Sequence, residues 1–207
     1  MLLALQQSAL MGLVRVVAGC YPRWREGAGT SGQTIYFANH TSNADTLALM
    51  AALPAPLRRK VKPVAARDYW GGSDLRRHIA LNVLNAVLID RKRETGEDPL
   101  APVREVLREG HSIIIFPEGK RNQDTLPGTF KSGLYHLARE FPDVTLSPVY
   151  LENLNRIMPK GQIVPVPLIS KVHFGPLMDG PGEFEDKAMF LDRARHAVCA
   201  LAHEARE

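Results

Sequence analysis

A chain of 207 residues with a net charge of +4 has the length of one domain that buries a hydrophobic core of its own. Its composition, 45% hydrophobic and 23% charged, excludes an intrinsically disordered tail, a collagen-like fibre and a coiled coil. The two cysteines, Cys20 and Cys199, stand far apart in a sequence without a CxxC pair or a Cys/His cluster. This pattern excludes a disulfide framework, predicts no metal site and fits a reducing cytoplasm.

The first predicted element is an apolar helix over Leu2–Ala18. Its polar residues Gln7, Ser8 and Arg15 fall within an arc of about 100° at helical spacing. A narrow polar stripe on a broad apolar helix suits a segment lying in a membrane interface, and it equally suits a helix packed on the core. No basic residue precedes the apolar region, which argues against a signal peptide. The sequence contains no run of about 18 apolar residues, so it predicts no membrane-spanning helix.

A glycine-rich stretch over residues 26–32 predicts a linker. It divides the chain into an N-terminal apolar helix with its linker, residues 1–30, and a main domain, residues 31–207. Strands and helices alternate in the main domain. The predicted strands cover residues 34–38, 61–66, 86–89, 112–116 and 144–151, with two short ones between residues 163 and 175. The predicted helices cover residues 42–53, 74–85, 98–110, 131–140 and 183–203.

The predicted strands are mostly continuous apolar runs. Such runs favour an α/β fold, a single domain whose mostly parallel sheet is flanked by helices. Ser42 and Asp98 are expected to cap the helices that start there. In sheets of this kind, ligands bind in the turns beyond the carboxyl ends of the strands. Two polar clusters lie in such turns, at residues 39–45 and at residues 117–122.

Basic residues are concentrated in one part of the chain. Between residues 56 and 93 there are ten basic and three acidic side chains, a net +7. This block indicates an anionic partner, such as phosphate groups, a membrane surface or nucleic acid, or else a solvated basic face. We predict no nucleic-acid partner, because Tyr69 and Trp70 are the block's only aromatic residues and no RNP-like or zinc-finger pattern is present.

The first polar cluster places a histidine five residues before an aspartate. His40 falls in the turn before a predicted helix, and Asp45 falls in its first turn. The chain can therefore fold His40 back over the helix start. Asp45 then accepts a hydrogen bond from one imidazole nitrogen and leaves the other as a base. The alternative is that His40 only caps the turn and Asp45 the helix.

The second polar cluster follows the strand at residues 112–116. Gly119 allows a tight turn, and Lys120 and Arg121 offer an anion site, since arginine binds phosphate oxygens with two parallel hydrogen bonds. Glu118 can orient Arg121 or accept a hydrogen bond from a substrate hydroxyl. The alternative is a charged turn on the surface. A further arginine, Arg91, ends the apolar strand at residues 86–89.

Taken together, these clusters resemble the motifs of the glycerolipid acyltransferase family, the bacterial 1-acylglycerol-3-phosphate (lysophosphatidic acid) acyltransferases. The resemblance covers about residues 34–150, and two positions depart from the family pattern: Lys120 stands for the usual Thr, and Asn122 for the usual Ser. The matched motifs, in chain order, are NH-x4-D at Asn39, His40 and Asp45, a strand ending in Asp-Arg at residues 87–91, FPEG-x-R at residues 116–121, F-K-x-G at residues 130–133, and a strand with a central proline at Pro148.

The resemblance implies acyl transfer from acyl-CoA or acyl carrier protein to the free hydroxyl of lysophosphatidic acid, giving phosphatidic acid. It implies that His40 is the general base and that Asp45 orients it. It implies that the phosphate side of the acceptor is held by Glu118, Gly119, Lys120 and Arg121, with Arg91 assisting. Pro148 is expected to line the acyl or thioester region.

The implied reaction needs no cofactor, since a base activates the hydroxyl and the thioester supplies its own leaving group. The sequence lacks a GxSxG elbow and a complete P-loop, which argues against a serine hydrolase and a nucleotide hydrolase. Other acceptors stay open: glycerol 3-phosphate, another lysophospholipid or a lyso-aminolipid. A non-catalytic basic membrane-binding module is a further alternative, but it has no use for the His40 and Asp45 pair. We expect a peripheral protein on anionic lipid at the cytoplasmic face of the inner or plasma membrane; acyl chain length, donor and oligomeric state stay open.

Overall fold

Seven strands form one mixed sheet in the computed structural model, which describes residues 2–29, 32–90, 98–122, 124, 126–154 and 169–206. The strands are β1 (Tyr21–Trp24), β2 (Thr34–Ala38), β3 (Val61–Ala66), β4 (Val87–Ile89), β5 (Ser112–Ile115), β6 (Thr145–Glu152) and β7 (Lys171–Phe174). Their order across the sheet is β1-β7-β6-β2-β5-β3-β4. The five strands from β6 to β4 run parallel, whereas β7 is antiparallel to β6 and carries β1 parallel to itself.

Helices cover both faces of this sheet. They are α1 (Leu2–Ala18), α2 (Asp45–Ala52), α3 (Ala55–Arg58), α4 (Arg67–Trp70), α5 (Asp74–His78) with a π-helical turn over Ile79–Val83, α6 (Ala101–Arg108), α7 (Gly133–Glu140) and α8 (Lys187–Glu204). Alternate residues of β2 face the two cores. Tyr36 packs with α1 and α2 in one cluster, whereas Ile35 and Phe37 pack with α6, α7 and α8 in the other. The predicted α/β fold with a mostly parallel sheet is therefore confirmed.

The central strands match the sequence prediction most closely. The prediction for β2 and β3 has the observed bounds, and all five residues of β2 are buried. A continuous apolar run is what a parallel strand covered on both faces requires. The predicted pair of short strands near the end of the sheet is only partly described, since β7 is observed but residues 155–168 lie outside the described residues.

Four of the five predicted helix starts lie two to four residues before the observed ones, and two of these four carried a predicted cap. Helix α2 begins at Asp45, and Ser42 does not cap it: the Ser42 hydroxyl instead accepts from the Ala44 amide at 3.2 Å, before the helix. Helix α6 begins at Ala101, because Asp98 accepts from the Leu100 amide within a turn. In both places the polar side chain binds an amide two residues ahead, as Asx and Ser/Thr turns do, and this delays the helix.

Strand β1 was not predicted from the sequence. Its four residues pair in register with β7, from Tyr21 opposite Lys171 to Trp24 opposite Phe174. The Trp24 and Phe174 rings stack at 3.9 Å between centroids. Pro22 and the exposed side chains of this strand hide it from sequence analysis, since an edge strand needs no apolar alternation. The segment before the predicted linker thus adds a strand to the sheet.

Helix α1 hydrogen-bonds to the domain through two polar side chains and exposes two large apolar ones. The Gln7 amide donates to the Val83 carbonyl at 3.1 Å, and Arg15 Nε donates to the Ala51 carbonyl at 2.8 Å. Met11 is buried in the core, whereas Leu13 and Val16 are 60% and 85% exposed. Helix α1 is therefore packed on the domain and still presents an apolar outer face. Within the described residues, no helix combines the length and hydropathy needed to cross a bilayer.

Candidate active site

The carboxyl ends of four parallel strands bring the polar clusters to one edge of the sheet. His40 follows β2, Arg67 follows β3, Asp90 follows β4, and Phe116 and Glu118 follow β5. These strands are neighbours in the order β2-β5-β3-β4. Their topology therefore explains why turns far apart in sequence share one site, as expected for open parallel sheets.

The spacing of His40 and Asp45 brings their side chains into contact. His40 Nδ1 lies 2.8 Å from Asp45 Oδ2. The same oxygen accepts from the amides of Thr41 at 2.6 Å and Ser42 at 2.8 Å, and Asp45 is fully buried. An ionised carboxylate only accepts hydrogen bonds, so this contact places a hydrogen on Nδ1. In the neutral ring, Nε2 is then unprotonated and has the form of a base.

The rest of His40 is held as tightly as its Nδ1. Its amide donates to Glu118 Oε1 at 2.8 Å, and its carbonyl accepts from the Asn122 amide at 2.7 Å. Its ring stacks on Phe116 with centroids 4.5 Å apart and planes 21° apart. The side chain is 23% exposed. The imidazole is therefore oriented on several sides and still open to a ligand.

Glu118 supports the backbone around His40. It is 5% exposed, and its second carboxylate oxygen accepts from the Gly128 amide at 2.9 Å. Sequence analysis suggested that Glu118 orients Arg121 or meets a substrate hydroxyl. In the structure, both of its oxygens bind backbone amides, so Glu118 joins the turn after β2 to the loop at Gly128.

The predicted tight turn is present at Gly119, whose φ is +67°. This positive φ is the conformation that favours glycine, and a Cβ here would also lie 2.7 Å from Lys131 Nζ. Lys120 is exposed, and Arg121 is half-buried with its guanidinium 5.7 Å from the centre of the Tyr69 ring. The turn thus lies beside Lys131 and leads into Arg121.

Two cavities meet at His40. The larger, of about 440 Å³, lies among the ends of β3, β4 and β5 and the starts of α6 and α7, and its apolar walls include Ile115 and Leu134. The smaller, of about 90 Å³, is lined by Tyr69 and Arg121. His40 lines both cavities. A group bound in either cavity is therefore placed beside the same imidazole.

One charged side chain of the larger cavity, Arg104, is paired with carboxylates. Arg104 lines it and donates to Glu140 with an Nη2–Oε1 distance of 2.8 Å, and also to Asp98. The hydrogen bond to Glu140 raises the pKa of Arg104 and lowers the pKa of Glu140. The pair is charged at neutral pH and leaves Arg104 committed to the protein.

Three predicted site residues are not placed in this arrangement by the described part of the structure. Lys120 is exposed and lines neither cavity. Arg91 lies outside the described residues. Pro148 is buried inside β6 opposite Phe37, and neither cavity described above includes it. Asn39, in contrast, has a clear role: its side chain exchanges hydrogen bonds with the backbone of Leu151, at 3.1 and 2.7 Å, and ties the end of β2 to β6.

The basic block does not form one uniform surface. Arg58 is buried and donates to the Leu53 carbonyl at 3.0 Å, and burial lowers its pKa. Lys62 pairs with Glu109, and Arg67 pairs with Asp90. Other basic residues of the block are exposed and have no described carboxylate within salt-bridge distance. In the described part of the block these are Arg59, Lys60, Arg76 and Arg77.

Comparison with known proteins agrees with this architecture. The Acyltransferase family profile matches residues 23–152. The chain is 29% identical to 1-acyl-sn-glycerol-3-phosphate acyltransferase alpha from Homo sapiens over 176 residues, which are 82% of this chain and 59% of the human protein. It is 28% identical to 1-acyl-sn-glycerol-3-phosphate acyltransferase from Borreliella burgdorferi over 172 residues, which are 82% of this chain and 64% of that protein. The chain thus spans less than two thirds of either relative.

A solved structure shares the fold. The 1-acyl-sn-glycerophosphate (LPA) acyltransferase PlsC from Thermotoga maritima superposes with a TM-score of 0.74 at 19% identity. The match covers 97% of this chain and 79% of the other. At this level of identity, the similarity supports the fold.

Proposed function

Because the chain belongs to the acyltransferase family, we propose that it transfers a fatty acyl group from acyl-CoA or acyl carrier protein to the free hydroxyl of lysophosphatidic acid, giving phosphatidic acid. The family predicted from the sequence motifs is the one that the comparison confirms. The observation that carries the proposal is the His40–Asp45 hydrogen bond of 2.8 Å at the junction of two cavities. A pair of this kind supplies a base between two bound substrates.

The chemistry follows from the state of the imidazole. His40 Nε2 takes the proton of the acceptor hydroxyl while the hydroxyl oxygen attacks the thioester carbonyl carbon. The new C–O bond forms a tetrahedral intermediate, which collapses with loss of the C–S bond. The departing thiolate takes the proton back from His40, so the pair returns to its starting state. Asp45 stabilises the imidazolium that forms in between, because its buried carboxylate accepts from Nδ1.

We assign the phosphate of the acceptor to the smaller cavity. Arg121 lines this cavity with His40, and a guanidinium binds phosphate oxygens through two parallel hydrogen bonds. A glycerol hydroxyl two bonds from a phosphate-bearing carbon then lies close to Nε2. Glycerol 3-phosphate, other lysophospholipids and lyso-aminolipids are the alternative acceptors. Lysophosphatidic acid is preferred because the relatives are named for its acylation.

We assign the acyl thioester to the larger cavity. Its walls combine apolar side chains, such as Ile115 and Leu134, with His40 at one side. An apolar cavity next to the base suits the first part of a fatty acyl chain, because its burial removes hydrocarbon from water. Acyl-CoA and acyl carrier protein present the same thioester, so this assignment holds for both donors.

Contact with the membrane completes the proposal. Both acceptor and product carry acyl chains, so catalysis takes place at a lipid surface. The outer face of α1, with Leu13 and Val16 exposed, suits insertion into the interfacial region. Exposed basic residues such as Arg59 add attraction to anionic lipid, at about 1 kcal/mol each near the surface. The two cysteines are free and buried, which fits the cytoplasmic face.

A donor and acceptor panel tests the function. Purified protein is incubated with acyl-CoA or acyl carrier protein donors and each acceptor named above, and lipid products are identified by mass spectrometry. We expect phosphatidic acid from lysophosphatidic acid, and its loss in a folded His40→Ala variant. Transfer to another acceptor alone replaces the substrate assignment. Vesicle binding without transfer to any acceptor favours the non-catalytic membrane-binding alternative.

A further inference from the structure

Tyr69 of α4 carries two guanidinium groups beside the smaller cavity. Arg121 Cζ lies 5.7 Å from the centre of its ring, and Arg76 Cζ lies 4.9 Å from the same centre. Both distances are within the range of cation–π attraction. Tyr69 and Arg121 line the cavity together with His40. Three elements that are separate in sequence thus bring two positive charges to one aromatic ring at the edge of the site.

The ring is held in place independently of the arginines. Tyr69 packs edge-to-face against Trp70, with centroids 5.6 Å apart. The start of α5 is capped, since the Ser73 hydroxyl accepts from the Arg76 amide at 3.3 Å. The Tyr69 ring and the backbone of Arg76 thus each have a contact that does not depend on the guanidinium groups.

Neither guanidinium is neutralised by a described residue. Two other arginines near the site do have carboxylate partners: Arg67 with Asp90 and Arg104 with Glu140. No carboxylate of the described residues lies within salt-bridge distance of Arg76 or Arg121. Arg121 lines the cavity, and Arg76 lies over the Tyr69 ring, which lines it. Two positive charges without a carboxylate partner among the described residues attract an anion and gain hydrogen bonds when it binds.

We propose that Arg76 and Arg121, carried by Tyr69, form a two-arginine clamp that selects acceptors with a phosphomonoester headgroup. The proposal rests on the function proposed above and adds Arg76 as a residue that determines specificity. A phosphomonoester carries a charge of about −1.5 to −2 at neutral pH, because its second pKa is about 6. A phosphodiester carries only one negative charge and has one fewer free oxygen. A second guanidinium therefore favours lysophosphatidic acid over lysophospholipids with a further headgroup.

The decisive comparison is Arg76→Gln against Arg77→Gln. Arg77 is the next residue of α5, is equally exposed and basic, and has no ring contact among the described residues. We expect Arg76→Gln to raise the KM for hexanoyl lysophosphatidic acid about tenfold, the lower end for a hydrogen bond to a charged group. The donor KM, the kcat and the KM for lysophosphatidylglycerol change little. Arg76→Lys restores part of the loss, and Arg77→Gln behaves as wild type.

Tyr69 provides a second, independent test. Tyr69→Phe keeps the aromatic face and should leave the acceptor KM within about twofold of wild type, whereas Tyr69→Leu removes it and should raise that KM about fivefold, the value of an exposed cation–π contact. Equal KM values for Arg76→Gln and Arg77→Gln overturn the clamp. If Arg76→Gln raises the KM for lysophosphatidylglycerol as much as the KM for lysophosphatidic acid, the proposed selectivity is overturned and Arg76 provides only general attraction for anions.

Binding separates this inference from the proposed function. Calorimetry with the soluble hexanoyl lysophosphatidic acid measures Kd without turnover. If the wild-type protein binds this probe but transfers no acyl group, the proposed function is wrong. Weaker binding by Arg76→Gln than by Arg77→Gln still supports the clamp in that case. If the wild-type protein is active and the two variants have equal Kd values, the clamp is wrong and the proposed function stands.

Discussion

His40 and Arg121 lie on the turns that follow β2 and β5, and both line the smaller cavity, yet their surroundings differ. His40 is held by Asp45 at Nδ1, by Glu118 and Asn122 at its backbone and by Phe116 at its ring face. The Arg121 guanidinium contacts the ring of Tyr69 and has no carboxylate within salt-bridge distance among the described residues. His40 is thus held by hydrogen bonds and ring stacking, whereas the described residues leave the Arg121 guanidinium open.

The difference matches the task proposed for each side chain. A base acts only if its nitrogen is oriented before the substrate arrives, so its supports are built into the protein. A cation that binds phosphate gains most when its hydrogen bonds are kept for the ligand, because an existing ion pair would have to be broken first. Variants that remove His40, Arg121 or the supports around them test this difference, from the largest expected effect to the smallest.

Removing the imidazole has the largest effect. We expect His40→Ala to lower kcat by about 10²–10⁴-fold, the usual contribution of a positioned general base, with a normal circular dichroism spectrum. Asp45→Asn changes kcat in the same direction, because the amide cannot stabilise an imidazolium as a carboxylate does. Initial rates with saturating substrates measure both. Near-normal turnover by a folded His40→Ala protein contradicts the assignment of the base.

Removing the unpaired cation has the next largest effect, and it falls on binding. We expect Arg121→Ala to raise the acceptor KM by about 10–150-fold, which corresponds to ~1.5–3 kcal/mol for a hydrogen bond to a charged group. The donor KM stays close to wild type. Initial rates over a matrix of both substrate concentrations separate the two constants. A rise in the donor KM alone shows that the phosphate is bound elsewhere.

Glu118→Gln tests whether Glu118 supports His40 or binds phosphate. Glutamine keeps the shape but offers one acceptor oxygen to two buried amides, those of His40 and Gly128. We expect a loss of ~1–3 kcal/mol in the free energy of unfolding, at about 2–4 °C of Tm per kcal/mol. The kcat falls and the acceptor KM is unchanged, as for a positioning residue.

The control for Glu118 is an exposed carboxylate. Glu109→Gln removes a surface pair with Lys62, and such pairs contribute about 0–1 kcal/mol. It should leave Tm and kcat near wild type. If Glu118→Gln instead raises the acceptor KM and leaves kcat and Tm unchanged, the carboxylate binds substrate, as the resemblance to the family implied.

The smallest effect is expected at the outer face of α1, away from both turns. A Leu13→Ser and Val16→Ser double variant should weaken binding to anionic vesicles about tenfold, because each apolar side chain gains about 1 kcal/mol or more on partial burial. We expect the wild-type protein to remain partly bound to the vesicles at high salt and the double variant to be released. Co-sedimentation at low and high salt measures both.

Phe184→Ser is the matched control for the membrane face. Phe184 is 92% exposed, but it precedes α8, which packs on the face of the sheet opposite α1. We expect this variant to bind vesicles as wild type does. Equal sedimentation of all three proteins shows that the exposed residues of α1 do not contact lipid.

The parts of the fold that sequence analysis predicted are those in which local pattern and tertiary environment agree. Strands β2 and β3 are apolar runs, and burial on both faces requires such runs. Strand β1 was missed because its pairing with β7, 150 residues later in the chain, leaves no periodic signal in four residues. The predicted helix over residues 74–85 became α5 and a π-helical turn, since residue preferences do not distinguish these hydrogen-bond patterns.

In the candidate site, the sequence predicted a contact between two side chains that lie close together in the chain. The pairing of His40 with Asp45 follows from their spacing around a helix start. The partners of Glu118 are backbone amides, which every residue except proline possesses, so no residue type in the sequence indicates them. Arg76 and Arg121 meet only through Tyr69. That meeting depends on the order of the strands, which the sequence pattern did not specify.

The position of His40 on both cavities has a kinetic consequence. If one imidazole serves both substrates and no group of the enzyme is acylated, donor and acceptor must occupy the site in a ternary complex before any product leaves. Double-reciprocal plots at several acceptor concentrations will then intersect, and an acylated protein will not accumulate when donor is supplied alone. With the acceptor absent, water can enter the smaller cavity beside the same nitrogen. Slow hydrolysis of the donor thioester is then expected, and added acceptor will suppress it.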